Sequence, residues 1–302
     1  MQGTDGFTQA ENKKMLDMKN TFKILLLLCL PIKMFGTAQI PDLIIYKGDT
    51  LSLYACPLDS YPNEKLINPK NLFRSKGCFF TACWRNYVAT WEIIDNKLYL
   101  TEVRNACYPT ALRNVGASYK AGVEKDSIGL EFADLKSLFP DRYENGKVRA
   151  DWVSGKLISP QGELLYYFHD GFMSIYEREL EFTFENGLLI GTEQFDNSKT
   201  KKSKYTKDTK LLEEFIYSNI NYDNLPKSDT IKGRVIVEVI SSDDNGKIDS
   251  VEVIRGINTI YDNEAVRVIK SIPEWDVIYR HGRRINQIWT IPIKFDMTEK
   301  KE

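Results

Sequence analysis

Between residues 40 and 195 apolar positions recur at every second residue, in short runs broken by turn signals. Ala89, Trp91 and Ile93 alternate with polar or smaller neighbours, Asp95-Asn96-Lys97 turns the chain, and Leu98 and Leu100 resume the alternation, which predicts a hairpin. Val148, Ala150 and Trp152 alternate again before Gly155. Leu180, Phe182 and Phe184 mark one face of a strand that turns at Asn186-Gly187 into the apolar Leu188–Ile190. Only Ala133–Phe139, stopped by Pro140, reads as a helical turn. No segment repeats at a fixed period. The pattern predicts a β-rich domain with its own core over residues 40–195.

From Leu211 the period changes. Leu212, Phe215, Ile216 and Ile220 fall at helical spacing behind Asp208 or Thr209 as N-cap, and Pro226 lies beyond the helix end. Val235, Val237 and Val239 alternate within Gly233–Ile240, a turn follows at Asp243–Gly246, and a second strand runs from Lys247 to Arg255. Ala265, Val268, Ile269 and Ile272 share one face of a second helix. Its first turn carries Asp262 and Glu264, where negative charge suits the helix dipole, and Pro273 stops it. Trp289, Ile291, Ile293 and Phe295 alternate along a last strand. This order predicts a three-stranded antiparallel sheet with two helices over 211–297, and an α+β class for the chain. Between the two regions, residues 196–210 hold six lysines and no aliphatic side chain. With nothing to bury, they predict a solvated, self-repelling linker.

The start of the chain changes the expected location. Lys13, Lys14, Lys19 and Lys23 precede the apolar run Ile24–Ile32, and the small residues Gly36-Thr37-Ala38 follow. That is the layout of a secretory signal peptide over residues 1–38, with Gln39 first in the exported chain. The run is far shorter than the ~20 residues a spanning helix needs. A periplasmic location follows, with membrane association if the segment is retained as an anchor. Export leaves Cys56, Cys78, Cys83 and Cys107 in an oxidising compartment, where disulfides form. Sequence closeness suggests Cys78 with Cys83 and leaves Cys56 with Cys107. A zinc site is the weaker reading, because the Cys-x4-Cys spacing is loose and only His169 and His281 are on hand.

Composition excludes little else. The 302 residues are 42% hydrophobic and 27% charged, ordinary values for about two globular domains. The net charge is −1, and basic residues concentrate in the linker, so nucleic acid is not an expected partner. His169 beside Asp170 suggests a base with its orienting carboxylate, but neighbours on a strand point to opposite faces, and Gly171 favours a turn. Asp134, Asp141 and Glu144 are scattered loop carboxylates. No nucleophile motif, phosphate-binding glycine loop or metal-spaced histidine pair is present. Neither catalysis, a cofactor nor a metal is expected.

Gly233–Val239, Asn245–Ile254, Glu264–Ile269, Pro273-Glu274-Trp275 and Ile291–Phe295, taken in that order, resemble the TonB C-terminal domain, in the form common to energy transducers of Bacteroidetes-type envelopes. The resemblance covers about residues 211–297. It implies a protein-binding role in envelope transport. In that family an outer-membrane receptor segment is added as a strand beside the last strand of the sheet. The sheet edge here would be Gln287, Ile288, Trp289, Thr290, Ile291, Pro292, Ile293, Lys294 and Phe295. Of these, Trp289, Ile291, Ile293 and Phe295 face the core and Ile288, Thr290, Pro292 and Lys294 the other side. An edge strand presents unpaired backbone groups that template another strand, and Pro292 is tolerated essentially at an edge. The same proline equally serves to blunt that edge against aggregation. Arg283 and Arg284, just before the strand, would meet an acidic partner or lie in a solvated loop. Partners expected on this reading are a TonB-dependent receptor or another envelope protein, with a strand-paired homodimer also open. The chain departs from the family in two ways: Asp276 follows Trp275 where a proline is usual soon after, and a long Pro-rich spacer is missing. These departures favour binding over force transmission, and a periplasmic scaffold or ligand binder on the same fold is the alternative.

Overall fold

The alternating runs become strands joined by tight turns whose residues the sequence supplies. A computed structural model describes residues 37–73, 81–107, 131–226 and 231–296. The signal-peptide segment 1–36 and Cys78 lie outside them. Strands β1 (Asp42–Tyr46) and β2 (Asp49–Leu53) are followed by helix α1 (Pro69–Leu72) and by β3 (Tyr87–Ile94) and β4 (Lys97–Asn105). Helix α2 (Leu135–Leu138), the short strands β5 (Tyr143–Glu144) and β6 (Lys147–Arg149), and the long strands β7 (Gly155–Tyr166), β8 (Ile175–Glu185) and β9 (Leu188–Asp196) complete this half. Asp95 and Asn96 turn β3 into β4 with φ of 48° and 60°, and Asn186 and Gly187 turn β8 into β9 with φ of 48° and 71°. Positive φ at both central residues matches the twist of the flanking strands, and Asn, Asp and Gly reach it at least cost.

The sheet runs β2-β1-β3-β4-β9-β8-β7, with β6 on β4 and β5 on β6. It is mixed, because β1 lies parallel to β3, with Leu43 opposite Thr90. The Tyr54 amide donates to the Ile158 carbonyl at 2.7 Å, so the first and last strands approach and the sheet curls toward closure. Its concave side is packed by Ile44, Leu53, Trp91, Leu98, Leu100 and Phe182, all fully buried.

The second half contains helices α3 (Lys204–Lys207) and α4 (Thr209–Asn219), strands β10 (Lys232–Ser242) and β11 (Ile248–Arg255), helix α5 (Thr259–Lys270), a hairpin of β12 (Ile278–Arg280) and β13 (Arg283–Ile285), and β14 (Trp289–Asp296). Asp208 caps α4 by accepting from the Lys210 and Leu211 amides, and Asn258 caps α5 by accepting from those of Ile260 and Tyr261. The second sheet runs β11-β10-β14. Val235, Val237 and Val239 of β10 and Ile291, Ile293 and Phe295 of β14 pack against Tyr261, Ala265, Val268 and Ile269 of α5. Gly246 stands where the β10–β11 turn backs onto Trp275. Its carbonyl accepts the Trp275 amide at 2.7 Å, and a Cβ there would meet the Trp275 carbonyl oxygen.

The α+β class expected for the chain is overturned. The protein is mostly β, with 45% strand against 21% helix, and a nine-stranded mixed sheet dominates it. The three-stranded sheet is the smaller companion. The expectation gave too much weight to the last third of the chain in setting the class, although it already makes residues 40–195 β-rich.

Residues 196–210 are not a solvated spacer. Asn197, Thr200, Ser203, Tyr205 and Thr206 are buried. The segment runs beside residues 274–282. Lys201 and Val277 exchange both backbone hydrogen bonds, the Tyr279 amide donates to the Thr200 hydroxyl at 2.9 Å, and the Gly282 amide donates to the Asn197 side chain at 3.0 Å. Lys199, Lys201 and Lys204 between them are exposed, and Lys202 lies over the Tyr166 ring at 4.6 Å. Thr37–Glu302 accordingly forms one compact unit.

Candidate partner-binding edge

Strand β14 is the outermost strand of the three-stranded sheet. It pairs with β10 from Trp289 opposite Val239 to Asp296 opposite Lys232. Among the described residues no strand pairs with its other side. Ile291, Ile293 and Phe295 are buried and Trp289 is half-buried, while Thr290, Pro292 and Lys294 are exposed and Ile288, just ahead of the strand, is 57% exposed. Period-two alternation thus divides the strand between core and solvent.

One contact fixes which backbone groups face outward. The Lys294 amide donates to the Tyr217 hydroxyl of α4 at 3.2 Å, so it points away from β10. In an antiparallel ladder the same holds for every second residue, here Thr290 and Pro292. The unpaired side of β14 therefore offers the Thr290 N–H and the carbonyls of Thr290 and Pro292, but no donor at Pro292, and its donor at Lys294 is taken. Of the nine residues expected to form a binding edge, Gln287 to Pro292 bring the open part, while Ile293 to Phe295 lie where α4 already reaches the strand.

The open end also holds unsatisfied groups. The Gln287 Oε1, the Trp289 Nε1 and the nearby Trp275 Nε1 are buried without hydrogen-bond partners among the described residues. The two indole rings meet edge to face at 5.9 Å. Buried polar atoms without partners are uncommon and mark a place where a bound group or water belongs. Side-chain pairs brace the strand from the exposed face, where Thr290 donates to Glu238 at 3.2 Å. At the far end, Lys232 pairs with Asp296 at 2.9 Å.

Arg283 and Arg284 do not lie in a loop. They belong to the β12–β13 hairpin. Arg284 is held by Asp244 at 2.6 Å and by the Ser242 hydroxyl at 3.0 Å, so it is spent inside the protein. Arg283 is exposed. His281, in the hairpin turn with φ of 51°, donates its amide to Glu179 Oε2 at 2.9 Å, docking the hairpin on β8. His169 and Asp170 sit in the 167–174 turn, where the imidazole meets the Tyr167 hydroxyl at 3.0 Å and Asp170 contributes its carbonyl to the Met173 amide.

Neither cysteine pairing forms. Cys56 and Cys83 are free thiols and Cys107 is disulfide-bonded. Cys83 is buried and donates to the Tyr87 carbonyl at 3.1 Å. Burial, helped by the nearby Asp42 carboxylate, pushes the Cys56 thiol up to about 12. The thiolate is the nucleophile, so Cys56 stays unreactive at neutral pH. Alkylation of the folded protein at pH 8, read by mass spectrometry, should leave Cys56 unmodified until denaturant is added. Rapid labelling without denaturant would show an accessible thiolate.

The two free thiols border a cluster that periodicity does not reveal. Asp42, fully buried, accepts from Arg85 Nη2 at 2.9 Å, from the Ala89 amide at 3.0 Å and from Trp91 Nε1 at 3.1 Å. Arg85 also donates to the Ile40 carbonyl at 2.9 Å and lies over the Tyr87 ring at 5.3 Å. These contacts pin the parallel β1–β3 pair.

No family model, no curated protein and no solved structure matches this chain.

Proposed function

We propose that this protein is a periplasmic, protein-binding component of a bacterial envelope, and that it takes up an extended segment of an outer-membrane receptor or another envelope protein as an added strand beside β14. The observation that carries the reading is the edge position of β14, with the Thr290 N–H and the Thr290 and Pro292 carbonyls directed away from β10. Strand addition draws its affinity from such main-chain bonds and its specificity from alternate side chains. On this reading the added segment lies along the stretch from Gln287 to Pro292. The resemblance of residues 211–297 to TonB supports the same edge.

Thr290→Pro tests it. The substitution removes the outward donor and leaves the backbone bonds to β10 intact, because the Thr290 N–H takes no part in that ladder; only the exposed side-chain bond to Glu238 is lost with it. A lost backbone hydrogen bond is worth about 1 kcal/mol, or roughly fivefold in affinity. A ten-residue synthetic peptide copied from the periplasmic N-terminal segment of a TonB-dependent receptor should bind the full chain, and about fivefold more weakly to the variant. No binding by the wild-type protein at high micromolar peptide sinks the proposal. Tyr217→Phe should act in the opposite sense. It frees the Lys294 donor and is expected to tighten the same peptide by up to about fivefold. Unchanged affinity would show that the segment stops before Lys294.

A second reading has one observation in its favour. The hydrogen-bonded run 197–206 beside 274–282 leaves no slack between the two sheets. That suits a scaffold holding its partner in place better than a transducer that extends to deliver force.

A further inference from the structure

A cleft separate from the β14 edge opens where residues 38–41 pass between β2 and the ends of β7 and β8. Gln39, Tyr54, Leu164, Tyr167, Ser174 and Tyr176 are among its walls, and among the described residues none that lines it carries a charge. Its volume of about 290 Å³ lies at the small end of ligand clefts, ~300–1,000 Å³.

Two features are unexplained by folding. Leu164 is 47% and Tyr167 50% exposed, so two large apolar surfaces flank the opening uncovered. The Tyr54 ring, by contrast, is fixed. It stacks on Phe172 at 5.1 Å, and its hydroxyl donates to that of Tyr176 at 3.0 Å. Gln39 spends its amide hydrogens on the carbonyls of Thr81 at 2.8 Å and Thr37 at 2.9 Å, yet its Oε1 is buried with no partner among the described residues. A buried acceptor left open in a cleft awaits a donor.

The lining selects the ligand. With no countercharge, an ion would lose its hydration uncompensated. A purely apolar ligand would leave Gln39 Oε1 without a donor. What fits is an uncharged molecule with flat C–H faces for the tyrosine rings and hydroxyl donors for Gln39. We propose that this cleft binds the terminal one or two units of a neutral oligosaccharide. Processing between Ala38 and Gln39 would leave the Gln39 amine on the Gly171 carbonyl, its present partner at 3.0 Å, and its side-chain amide on the Thr81 carbonyl, with the bond to Thr37 lost.

The experiment is a glycan array of neutral and uronate- or sialate-bearing oligosaccharides probed with the full chain, followed by calorimetry on the strongest neutral ligand. Expected is binding confined to neutral glycans, weakened at least about tenfold by Tyr167→Ala and by Gln39→Leu, with thermal unfolding of the exposed-site variant Tyr167→Ala unchanged. Thr290→Pro should leave it untouched, which separates this site from the β14 edge. Binding only to acidic glycans, no glycan binding at all, or neutral binding indifferent to both substitutions overturns the proposal.

Discussion

Asp276→Ala is expected to lower the stability of the protein by about 3–4 kcal/mol and its Tm by about 8–12 °C. The Asp276 carboxylate is buried and accepts three hydrogen bonds from two places in the chain, β7 and the 197–206 segment. The Tyr166 hydroxyl of β7 donates at 2.7 Å, the Ser203 amide at 2.8 Å and the Thr206 hydroxyl at 2.5 Å. Removing the acceptor leaves three donors buried without a partner, and each carries a desolvation cost of about 1–3 kcal/mol that does not simply add. The same substitution should release the 197–206 segment. Its lysines are then free to enter a protease, so limited trypsin digestion should cut within 199–207 in the variant and spare the wild type. Asp276→Asn retains an acceptor for Ser203 and Thr206 and should lose about half as much. A variant as stable and as trypsin-resistant as the wild type would mean that the two sheets are held together elsewhere.

Arg85→Ala should be as damaging for a different reason. Asp42 is fully buried, and burial already pushes its carboxyl above the usual carboxylate range against the pull of the Arg85 guanidinium. Taking away the cation strands a buried charge, at a cost of about 3–5 kcal/mol. The pH dependence has a definite sign. A carboxyl whose folded-state pKa lies above its unfolded value contributes stability below the unfolded value and loses it as pH rises through the folded one. The deficit of Arg85→Ala relative to the wild type should therefore be greater at pH 7.5 than at pH 4.5, as chemical denaturation at the two pH values will show. Asp42→Asn with Arg85→Met removes both charges and should recover part of the loss. A deficit that does not change with pH would mean that lost packing of the guanidinium on Tyr87, and not the stranded charge, sets the cost.

Much of this architecture is legible in the order of residues, because it is local. Asp95-Asn96 and Asn186-Gly187 announce their hairpins, since few residues tolerate the required backbone. The alternation through Phe295 announces which side chains of β14 are buried. What escaped the pattern is of three kinds. The strands Ile278–Arg280 and Arg283–Ile285 are three residues each, too short to show a period. The segment 197–206 does have a period, but of three: Asn197, Thr200, Ser203 and Thr206 are buried and the lysines fall between. Small polar side chains facing inward at that spacing lie outside both the helical and the strand template, and the six lysines masked them. The third kind is nonlocal. Asp42 and Arg85 are 43 positions apart, and Lys294 meets Tyr217 across 77. The Tyr217 contact governs the candidate edge, because it closes the half of β14 that Pro292 does not.

The most direct test of strand addition is amide hydrogen exchange of the full chain, resolved residue by residue, with and without the ten-residue receptor peptide. The account predicts that saturating peptide slows exchange at Thr290 and leaves the Lys294 amide, already bonded to Tyr217, unchanged. Peptide binding with no added protection at Thr290, or with protection elsewhere in the protein, would contradict it.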